Sequence, residues 1–401
     1  MALPIPPDLM ACRIINAAGT LTRLSGAHVS EAVACAMAAA AQCSFDMWSL
    51  QAAASARIAA ATGAEAGLVT TGAAAGLTLS AAAVMAGLDT AHMQALPVTA
   101  GMQDEILVPR THRNGYDRAL SAAGAKLIDV GTADRETDAG IRGLEAWEIE
   151  AAITPRTAAL LANASGATQR DLPVLADVAA RRNLPLIVDA AAQLPPTDNL
   201  RHFIALGASL VVYSGGKAIG GPQASGILAG RRPFIASAAL QMLDMDMRPD
   251  AFLAPKEFFA NNPPHVLPRH GIGRGFKASK EAIVGLLVAL DEFMGRDEVA
   301  MQTATRARLQ RIRDGLVGLD GATIDIIAGR RSEALPRLAI RLRAGAGREA
   351  AEVCARLARG APPVHVAEGL VADGVLVIDL IAVDARDDDL LVGAIRAAIE
   401  R

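Results

Sequence analysis

A single lysine in a glycine-rich turn is the residue of this sequence whose setting most strongly indicates chemistry. Lys217 lies in the stretch Ser214-Gly-Gly-Lys-Ala-Ile-Gly-Gly, directly after the apolar run Ser209–Tyr213. Such a run is typical of a buried strand, and the glycines mark the turn that follows it. A phosphate-binding P-loop is excluded, because Val211 stands where that motif requires its first glycine and Ala218 follows the lysine. A reactive lysine and an ordinary solvated lysine remain as interpretations.

A carboxylate ends the preceding apolar run, at the same edge of a predicted sheet. Asp189 closes the run Leu184–Val188, which is the strand before the one that leads to Lys217. The carboxyl ends of neighbouring parallel strands build sites together. A lysine whose pKa is lowered by desolvation can form a Schiff base with an aldehyde, and a carboxylate can keep a pyridine nitrogen protonated. Lys217 and Asp189 therefore predict an enzyme that uses pyridoxal 5'-phosphate (PLP), with these two as its catalytic residues.

A cradle for the cofactor's phosphate is predicted at a third strand end. The stretch Gly67–Leu77 consists of an apolar strand, a turn of small residues and the start of a helix. Free N–H groups and the positive end of the helix dipole favour an anion at such a position. Gly72 and Ala73 are the predicted phosphate-binding residues of this turn.

The order of these motifs resembles the fold-type I PLP enzymes. The motifs are T-G-A-A-A-G at 71–76, V-D-A at 188–190 and S-G-G-K at 214–217. Their details are similar to the branch that contains bacterial selenocysteine synthase and D-glucosaminate-6-phosphate ammonia-lyase. Residues 15–24 and 273–286 fit the same branch, so the resemblance runs from about Ile14 to about Leu290.

The resemblance implies further site residues. His112, just past the strand end at Pro109, would stack on the cofactor ring, although a lone histidine by itself is more often structural. Ala191 would touch the other face of the ring, and Ser214 would bind the phosphate or cap the turn. Gln193 lies four positions after Asp189, and its role stays open. The predicted cofactor-binding set is Gly72, Ala73, His112, Asp189, Ala191, Ser214 and Lys217, and the candidates for substrate binding are Asn16, Thr20, Arg23, Asn163 and Arg274.

Apolar runs of strand length alternate with helix-like spacers through most of the chain. This alternation predicts an α/β fold with a mostly parallel, doubly wound sheet. Together with the resemblance it implies a fold-type I PLP transferase-like architecture with a seven-stranded sheet and a smaller C-terminal α/β domain. The predicted divisions are an N-terminal segment 1–45, a large PLP-binding domain 46–277, and a linker helix with a small domain at 278–401.

Several local features predict structure at finer scale. Ser30 and Asp46 are expected to cap helices, the second of which ends at Gly63. Residues 14–24 form either a surface lead-in or, by the resemblance, a segment at the mouth of the active site. The methionine-containing stretch 242–259 is expected to be core filler or interface.

Composition limits the classes of function. With 401 residues, a net charge of −3 and 3% aromatic residues, the chain lacks the basic and aromatic surface that binds single-stranded nucleic acid. No signal peptide is visible, and the expected location is the cytoplasm, without membrane or nucleic-acid partners. The histidines lack metal-ligand spacing, so no metal site is predicted. The four cysteines, Cys12, Cys35, Cys43 and Cys354, are expected to be reduced and buried.

The predicted function is that of a homo-oligomeric PLP-dependent lyase, a dimer or a multiple of dimers. It would act at Cα of a small amino acid or amino sugar acid and eliminate a β-substituent. Aldol cleavage, racemisation and amino transfer share the first chemical steps and stay open as alternatives. A selenium or sulfur transferase and a non-catalytic PLP-binding protein are the other hypotheses.

Overall fold

The structure is a computed structural model that describes residues 5–132, 143–166, 168–329, 335–343 and 347–400. The chain divides into two compact units, Val29–Met294 and a smaller one made of Met1–His28 with Gly295–Arg401. The predicted boundaries differ, because they left residues 29–45 and the helix after 278 outside the large domain. That helix packs closely on residues 31–41: a Cβ on Gly285 would lie 2.6 Å from Met37 Cγ.

Strands and helices alternate along most of the described residues. The β-strands are β1 (Ile15–Ala17), β2 (Ala66–Thr70), β3 (Glu105–Pro109), β4 (Lys126–Val130), β5 (Thr157–Asn163), β6 (Leu186–Asp189), β7 (Leu210–Ser214), β8 (Gly226–Gly230), β9 (Ala322–Ile327), β10 (Arg337–Leu342), β11 (Val364–Val366) and β12 (Val375–Ile378). The α-helices are α1 (Pro7–Met10), α2 (Glu31–Ala41), α3 (Met47–Thr62), α4 (Ala73–Ala86), α5 (Thr90–Ala95), α6 (Arg118–Ala122), α7 (Ala146–Ala152), α8 (Leu172–Arg182), α9 (Asn199–Ala205), α10 (Arg232–Met242), α11 (Lys256–Phe259), α12 (Lys280–Met294), α13 (Glu298–Gly315), α14 (Gly347–Ala358) and α15 (Asp388–Ile399).

The predicted helix caps of the large unit are confirmed. Ser30 Oγ accepts a hydrogen bond of 3.1 Å from the Val33 N–H at the start of α2. Asp46 Oδ2 accepts one of 2.8 Å from the Ser49 N–H at the start of α3. α3 ends at Gly63, which adopts a left-handed conformation with φ of +73° that glycine reaches without strain. These local signals alone fix where α2 and α3 begin and where α3 ends.

A seven-stranded sheet in the order β2-β8-β7-β6-β5-β3-β4 forms the centre of the large unit as described. β8 is antiparallel to both of its neighbours, and the other pairs are parallel. β2 and β7 therefore run in the same direction, and the carboxyl ends of β2, β7, β6, β5 and β3 lie at one edge of the sheet. The prediction of a mostly parallel α/β sheet is confirmed.

Helix α3 covers the outer edge of β2 with side-chain hydrogen bonds. The amide of Gln51 donates to the Val69 carbonyl at 2.9 Å and accepts from the Val69 N–H at 3.0 Å. Ser55 Oγ accepts from the Gly67 N–H at 3.0 Å. Helix and strand approach closely because residue 67 has no side chain, since a Cβ there would lie 2.2 Å from Ile58 Cγ2. The edge strand is thereby satisfied without another strand beside it.

Apolar side chains fill the space on both faces of this sheet. The stretch 242–259 belongs to one of these cores: Met242 and Met245 are buried there. Trp48 packs edge-on against Phe252, with the ring centroids 5.0 Å apart. The interpretation of the methionines Met242 and Met245 as core filler is confirmed, whereas Leu253 of the same stretch is 87% exposed.

The smaller unit has its own sheets and core. β10 pairs antiparallel with β9 and β12, and β1 pairs parallel with β11. Ile15 and Ala17 in β1 are 2% and 0% exposed. The interpretation of residues 14–24 as a surface lead-in is therefore wrong for β1, which is a buried strand; its partner lies some 350 residues later, beyond the reach of local sequence patterns.

The prediction of buried cysteines is also wrong. Cys12, Cys35 and Cys43 are exposed and Cys354 is half-buried, and all four are free thiols. For Cys35 the reason lies in α2, which turns only a narrow stripe inward, with Val33 and Ala40 as its buried residues.

No helix among the described residues is both long enough and apolar enough to cross a membrane.

Candidate active site

The turn that carries Lys217 is shaped by close backbone packing. A Cβ on Gly215 would lie 2.2 Å from Ser225 Oγ, and one on Gly216 would lie 2.5 Å from Gln223 Cα. The Gly215 N–H donates to the Ser225 carbonyl at 2.9 Å, and the Gly221 N–H donates to the Gly215 carbonyl at 2.9 Å. The glycines thus press the turn onto the loop before β8. They hold Lys217 at the carboxyl end of β7.

Asp189 and Lys217 lie at the ends of adjacent strands, and the charge of each affects the pKa of the other. Asp189 is in register with Val212 of β7, and the Ala190 N–H donates to the Val212 carbonyl at 3.0 Å. Burial raises the pKa of Asp189, and the charge of Lys217 partly opposes this shift. Burial likewise lowers the pKa of Lys217, against the charge of Asp189. A lysine with a lowered pKa holds more of its amine in the neutral, nucleophilic form.

The predicted phosphate cradle lies next to the turn of Lys217, across β8. Gly226 is in register with both Thr70 of β2 and Ser214 of β7. A Cβ on Gly226 would lie 2.6 Å from the carbonyl carbon of Gly72 and 2.9 Å from the nitrogen of Ala73. Helix α4 begins here without a side-chain cap, and Gly72 has φ of +112°. The three predicted phosphate-binding residues, Gly72, Ala73 and Ser214, are thus brought together.

His112 lies buried between a carboxylate and a backbone amide. Its Nε2 is 3.0 Å from Asp171 Oδ2, and its Nδ1 accepts a hydrogen bond of 3.1 Å from the Asn163 N–H. Because Nδ1 accepts, the ring proton is on Nε2 and points at Asp171. Asn163 ends β5 in register with Asp189, so the histidine is tied to the strand beside that carboxylate. Neighbouring strands are about 5 Å apart.

The residues that follow Asp189 support it from its own loop. The Ala191 N–H donates to Asp189 Oδ1 at 3.0 Å. Gln193 is 4% exposed, and its Oε1 is buried without a hydrogen-bond partner. A buried acceptor left unsatisfied is costly, so this amide is suited to receive a polar group from a ligand. The predicted ring contact of Ala191 and the predicted substrate contact of Asn163 remain predictions.

Arg274 is held by a neighbouring carboxylate. Its Nη2 lies 2.7 Å from Asp244 Oδ2, and His270 lies 3.6 Å from the other oxygen of the same residue. Asp244, Asp246 and His270 form an exposed group whose ligand atoms lie within 4.8 Å of one another, but exposed groups of this kind are common without a metal. The ion pair engages only Nη2 of Arg274, and substrate binding by Arg274 remains a prediction.

Three candidate residues belong to the smaller unit, where two of them make contacts of their own. Asn16 is buried, and its Nδ2 donates to the carbonyls of Gly19 and Leu24 at 3.0 and 3.1 Å. Its Oδ1 accepts from the Ala18 N–H, so its amide holds together the loop after β1. Arg23 lies 3.7 Å from Glu368, and both side chains are exposed. For Asn16, Thr20 and Arg23, a role in substrate binding remains a prediction.

These residues fit a cofactor that carries an aldehyde, a pyridine ring and a phosphate. The half-buried amine of Lys217, the buried carboxylate of Asp189, the uncapped start of α4 and the unpartnered Oε1 of Gln193 supply the complementary groups. An anion at the start of α4 is favoured by its free N–H groups and the helix dipole. PLP has this combination of groups.

The family model described as SelA, L-seryl-tRNA selenium transferase, matches residues 14–255. The chain belongs to this family. The predicted resemblance to the selenocysteine synthase branch of fold-type I PLP enzymes is confirmed, as is the predicted fold class. The family implies PLP as the cofactor.

Similarity extends over nearly the whole chain in several relatives. D-glucosaminate-6-phosphate ammonia lyase of Salmonella typhimurium (strain 14028s / SGSC 2262) is 29% identical over 97% of this chain and 96% of its own length. A 5'-C-glycyluridine monooxygenase-decarboxylase of a Streptomyces species is 29% identical over 91% of this chain and 84% of its own. A solved structure of D-glucosaminate-6-phosphate ammonia-lyase superposes with a TM-score of 0.81 at 28% identity, covering 100% of this chain and 99% of that one.

Local sequence patterns do not assign two residues, Asp171 and Gly226, to the site. Asp171 precedes Leu172-Pro173 at the start of α8, where an aspartate is typical of an ordinary helix cap. Gly226 begins a strand, where its small size has no visible cause in the sequence. A helix-capping pattern marks the position of Asp171, but no local signal connects it with His112, which is 59 residues away.

Proposed function

We propose that this protein is a PLP-dependent lyase that acts on a 2-amino-3-hydroxy acid of the amino sugar acid class. The observation that carries the proposal is the juxtaposition of Lys217 and Asp189 at adjacent strand ends, each with its pKa shifted by burial. The lyase prediction agrees with the similarity to an ammonia lyase over 97% of the chain. The substrate class follows from the name of that relative.

The residues of the chain divide the work as follows. Bound PLP supplies an electron sink for the bond that breaks at Cα. Asp189 would bind the ring nitrogen and keep its proton in place, and the start of α4 with Gly72, Ala73 and Ser214 would hold the phosphate. Lys217 would hold the cofactor and would take the proton from Cα of the substrate, a role for which its lowered pKa suits it.

The net reaction balances without a further reactant. The Cα–H bond and the bond from Cβ to its hydroxyl break, and water leaves. Hydrolysis of the remaining C=N bond consumes one water and releases ammonia with a 2-keto-3-deoxy acid. No oxidant or reductant is needed.

The test uses the purified full chain supplied with PLP. We expect an absorbance band near the visible edge, and borohydride reduction followed by peptide mass analysis should place the label on Lys217. Lys217→Ala should abolish the label and lower turnover by at least about 100-fold. Lys256→Ala, which removes an exposed lysine on α11 of the same unit, is the matched control and should leave both unchanged.

Product analysis separates the reaction types. Ammonia and a keto acid should form from an amino sugar acid such as D-glucosaminate-6-phosphate. A labelled Lys217 without ammonia from any member of a panel of 2-amino-3-hydroxy acids would refute the lyase proposal but not the cofactor. A chain that stays colourless with PLP would refute both. A tRNA-binding assay tests the selenium-transfer alternative that the family description suggests.

We further propose a homo-oligomer, a dimer or a multiple of dimers. Helix α2 supports this, because it leaves the small side chains of Ala34, Ala38 and Ala41 exposed, and small side chains allow helices to pack closely. Light scattering of the purified chain measures the mass, and a mass of one chain at micromolar concentration would contradict the proposal.

A further inference from the structure

We propose that Asp171 is a positioning residue that locks the ring of His112 in a single tautomer and orientation, and that the locked ring holds the carboxyl end of β5 beside Asp189. Only its consequence at the cofactor rests on the proposed function. The lock itself is a property of the protein alone.

The geometry fixes both in-plane nitrogens of the ring. Nδ1 accepts from the Asn163 N–H at 3.1 Å, and Nε2 lies 3.0 Å from Asp171 Oδ2. The side chain of His112 is 0% exposed and that of Asp171 is 3% exposed. With an acceptor role required at Nδ1 and a donor role at Nε2, the ring cannot turn over without breaking both contacts.

The carboxylate of Asp171 does not cap its own helix. It occupies the cap position of α8, where an aspartate usually accepts from the first N–H groups of its own helix, yet its side chain makes no such bond. Its carboxylate is directed to His112 instead. The positive end of the dipole of α8, a helix of 11 residues, favours a negative charge at this buried position.

The lock aligns His112 with the rest of the site. Asn163, which donates to Nδ1, is in register with Asp189, and the Ala164 N–H donates to the Asp189 carbonyl at 2.9 Å. The histidine is thereby fixed to the backbone of β5, one strand away from Asp189, which would bind the ring nitrogen of the cofactor. Because the side chain of His112 is 0% exposed, its ring acts on the site through the backbone of β5.

The first test measures the tautomer without cofactor. The full chain is labelled with 15N-histidine, and the His112 signals are assigned with a His112→Asn variant. We expect one protonated nitrogen, Nε2, and one unprotonated nitrogen, Nδ1. Asp171→Ala should replace this pattern by a mixture of the two tautomers. Asp177→Ala is the control: it removes an exposed carboxylate of the same helix, which pairs only at the surface with Arg181.

The second test measures the consequence at the cofactor. With PLP bound, Asp171→Ala should raise the dissociation constant of the cofactor on the order of tenfold, as expected for loss of a buried hydrogen bond to a charged group. Asp171→Asn keeps the volume and an acceptor oxygen, so it should retain the tautomer and fall between the two. This variant keeps the question open to measurement if the alanine variant does not fold.

The outcomes distinguish the inference from the proposed function. A wild-type tautomer pattern in Asp171→Ala, or a mixture of tautomers in the unmodified chain, would overturn the lock. A locked His112 in a chain that binds no PLP would leave the lock standing and refute the proposed function. A locked His112 with unchanged PLP affinity in Asp171→Ala would refute its role at the cofactor.

Discussion

The cradle for the phosphate depends on the absence of one side chain from the strand opposite it. Gly226 of β8 lies between Thr70 and Ser214, and its backbone abuts Gly72 and Ala73. A Cβ added there would lie 2.6 Å from the carbonyl carbon of Gly72, about 0.8 Å inside the 3.4 Å at which ordinary contacts begin. All three of the nearest atoms belong to the cradle or to the strand end before it, and two of them are backbone atoms that cannot rotate away.

We therefore expect Gly226→Ala to displace the Gly72-Ala73 turn. Overpacking of this kind costs about 1–3 kcal/mol. If the turn relieves the clash by moving out of its phosphate-binding geometry, PLP binding must restore that geometry against the same free energy. The affinity for PLP then falls by roughly 5- to 150-fold. The assay is titration of the cofactor-free protein with PLP, followed by absorbance.

Gly393→Ala is the matched control for this experiment. Gly393 lies in α15 of the smaller unit, and a Cβ there meets nothing within 4 Å. This control should leave PLP binding unchanged and stabilise its helix by about 1 kcal/mol. Unchanged PLP affinity in a folded Gly226→Ala protein would refute the assignment of the phosphate to the start of α4.

Two further predictions concern stability. Gln51→Leu leaves the buried N–H and carbonyl of Val69 without partners and should lower the free energy of unfolding by about 2–4 kcal/mol in urea titrations. Gln94→Leu, at an exposed site, is the control. A loss below about 0.5 kcal/mol in Gln51→Leu would contradict the edge-covering role of this side chain. Burial raises the folded-state pKa of Asp189 above 3.8, so folding favours the protonated form, and this preference is lost as pH rises through the folded pKa. Relative to Asp189→Asn, the cofactor-free wild type should therefore become progressively less stable from about pH 4 upward, and a stability difference that is constant between pH 4 and pH 8 would contradict the shift.

Local sequence patterns determine most of the architecture. Apolar runs of four to seven residues with turn residues between them define the strands of the large unit, because a strand buried on both faces requires an unbroken apolar run. Ser30, Asp46 and Gly63 mark helix ends, because the groups they satisfy lie within a few residues of them. The same locality makes the lysine turn and the V-D-A strand end recognisable, since a site at the carboxyl edge of a parallel sheet is built from the residues that end each strand.

The sequence alone does not reveal the contacts between distant segments. β1 is buried only because β11 pairs with it, and Asp171 serves His112 only because the folded sheet brings a helix start beside a strand end 59 residues earlier. Gly226 must be small only because Gly72 comes to lie against it. In each case the residue type has an ordinary local explanation, and the physical constraint comes from a partner that only the tertiary structure supplies.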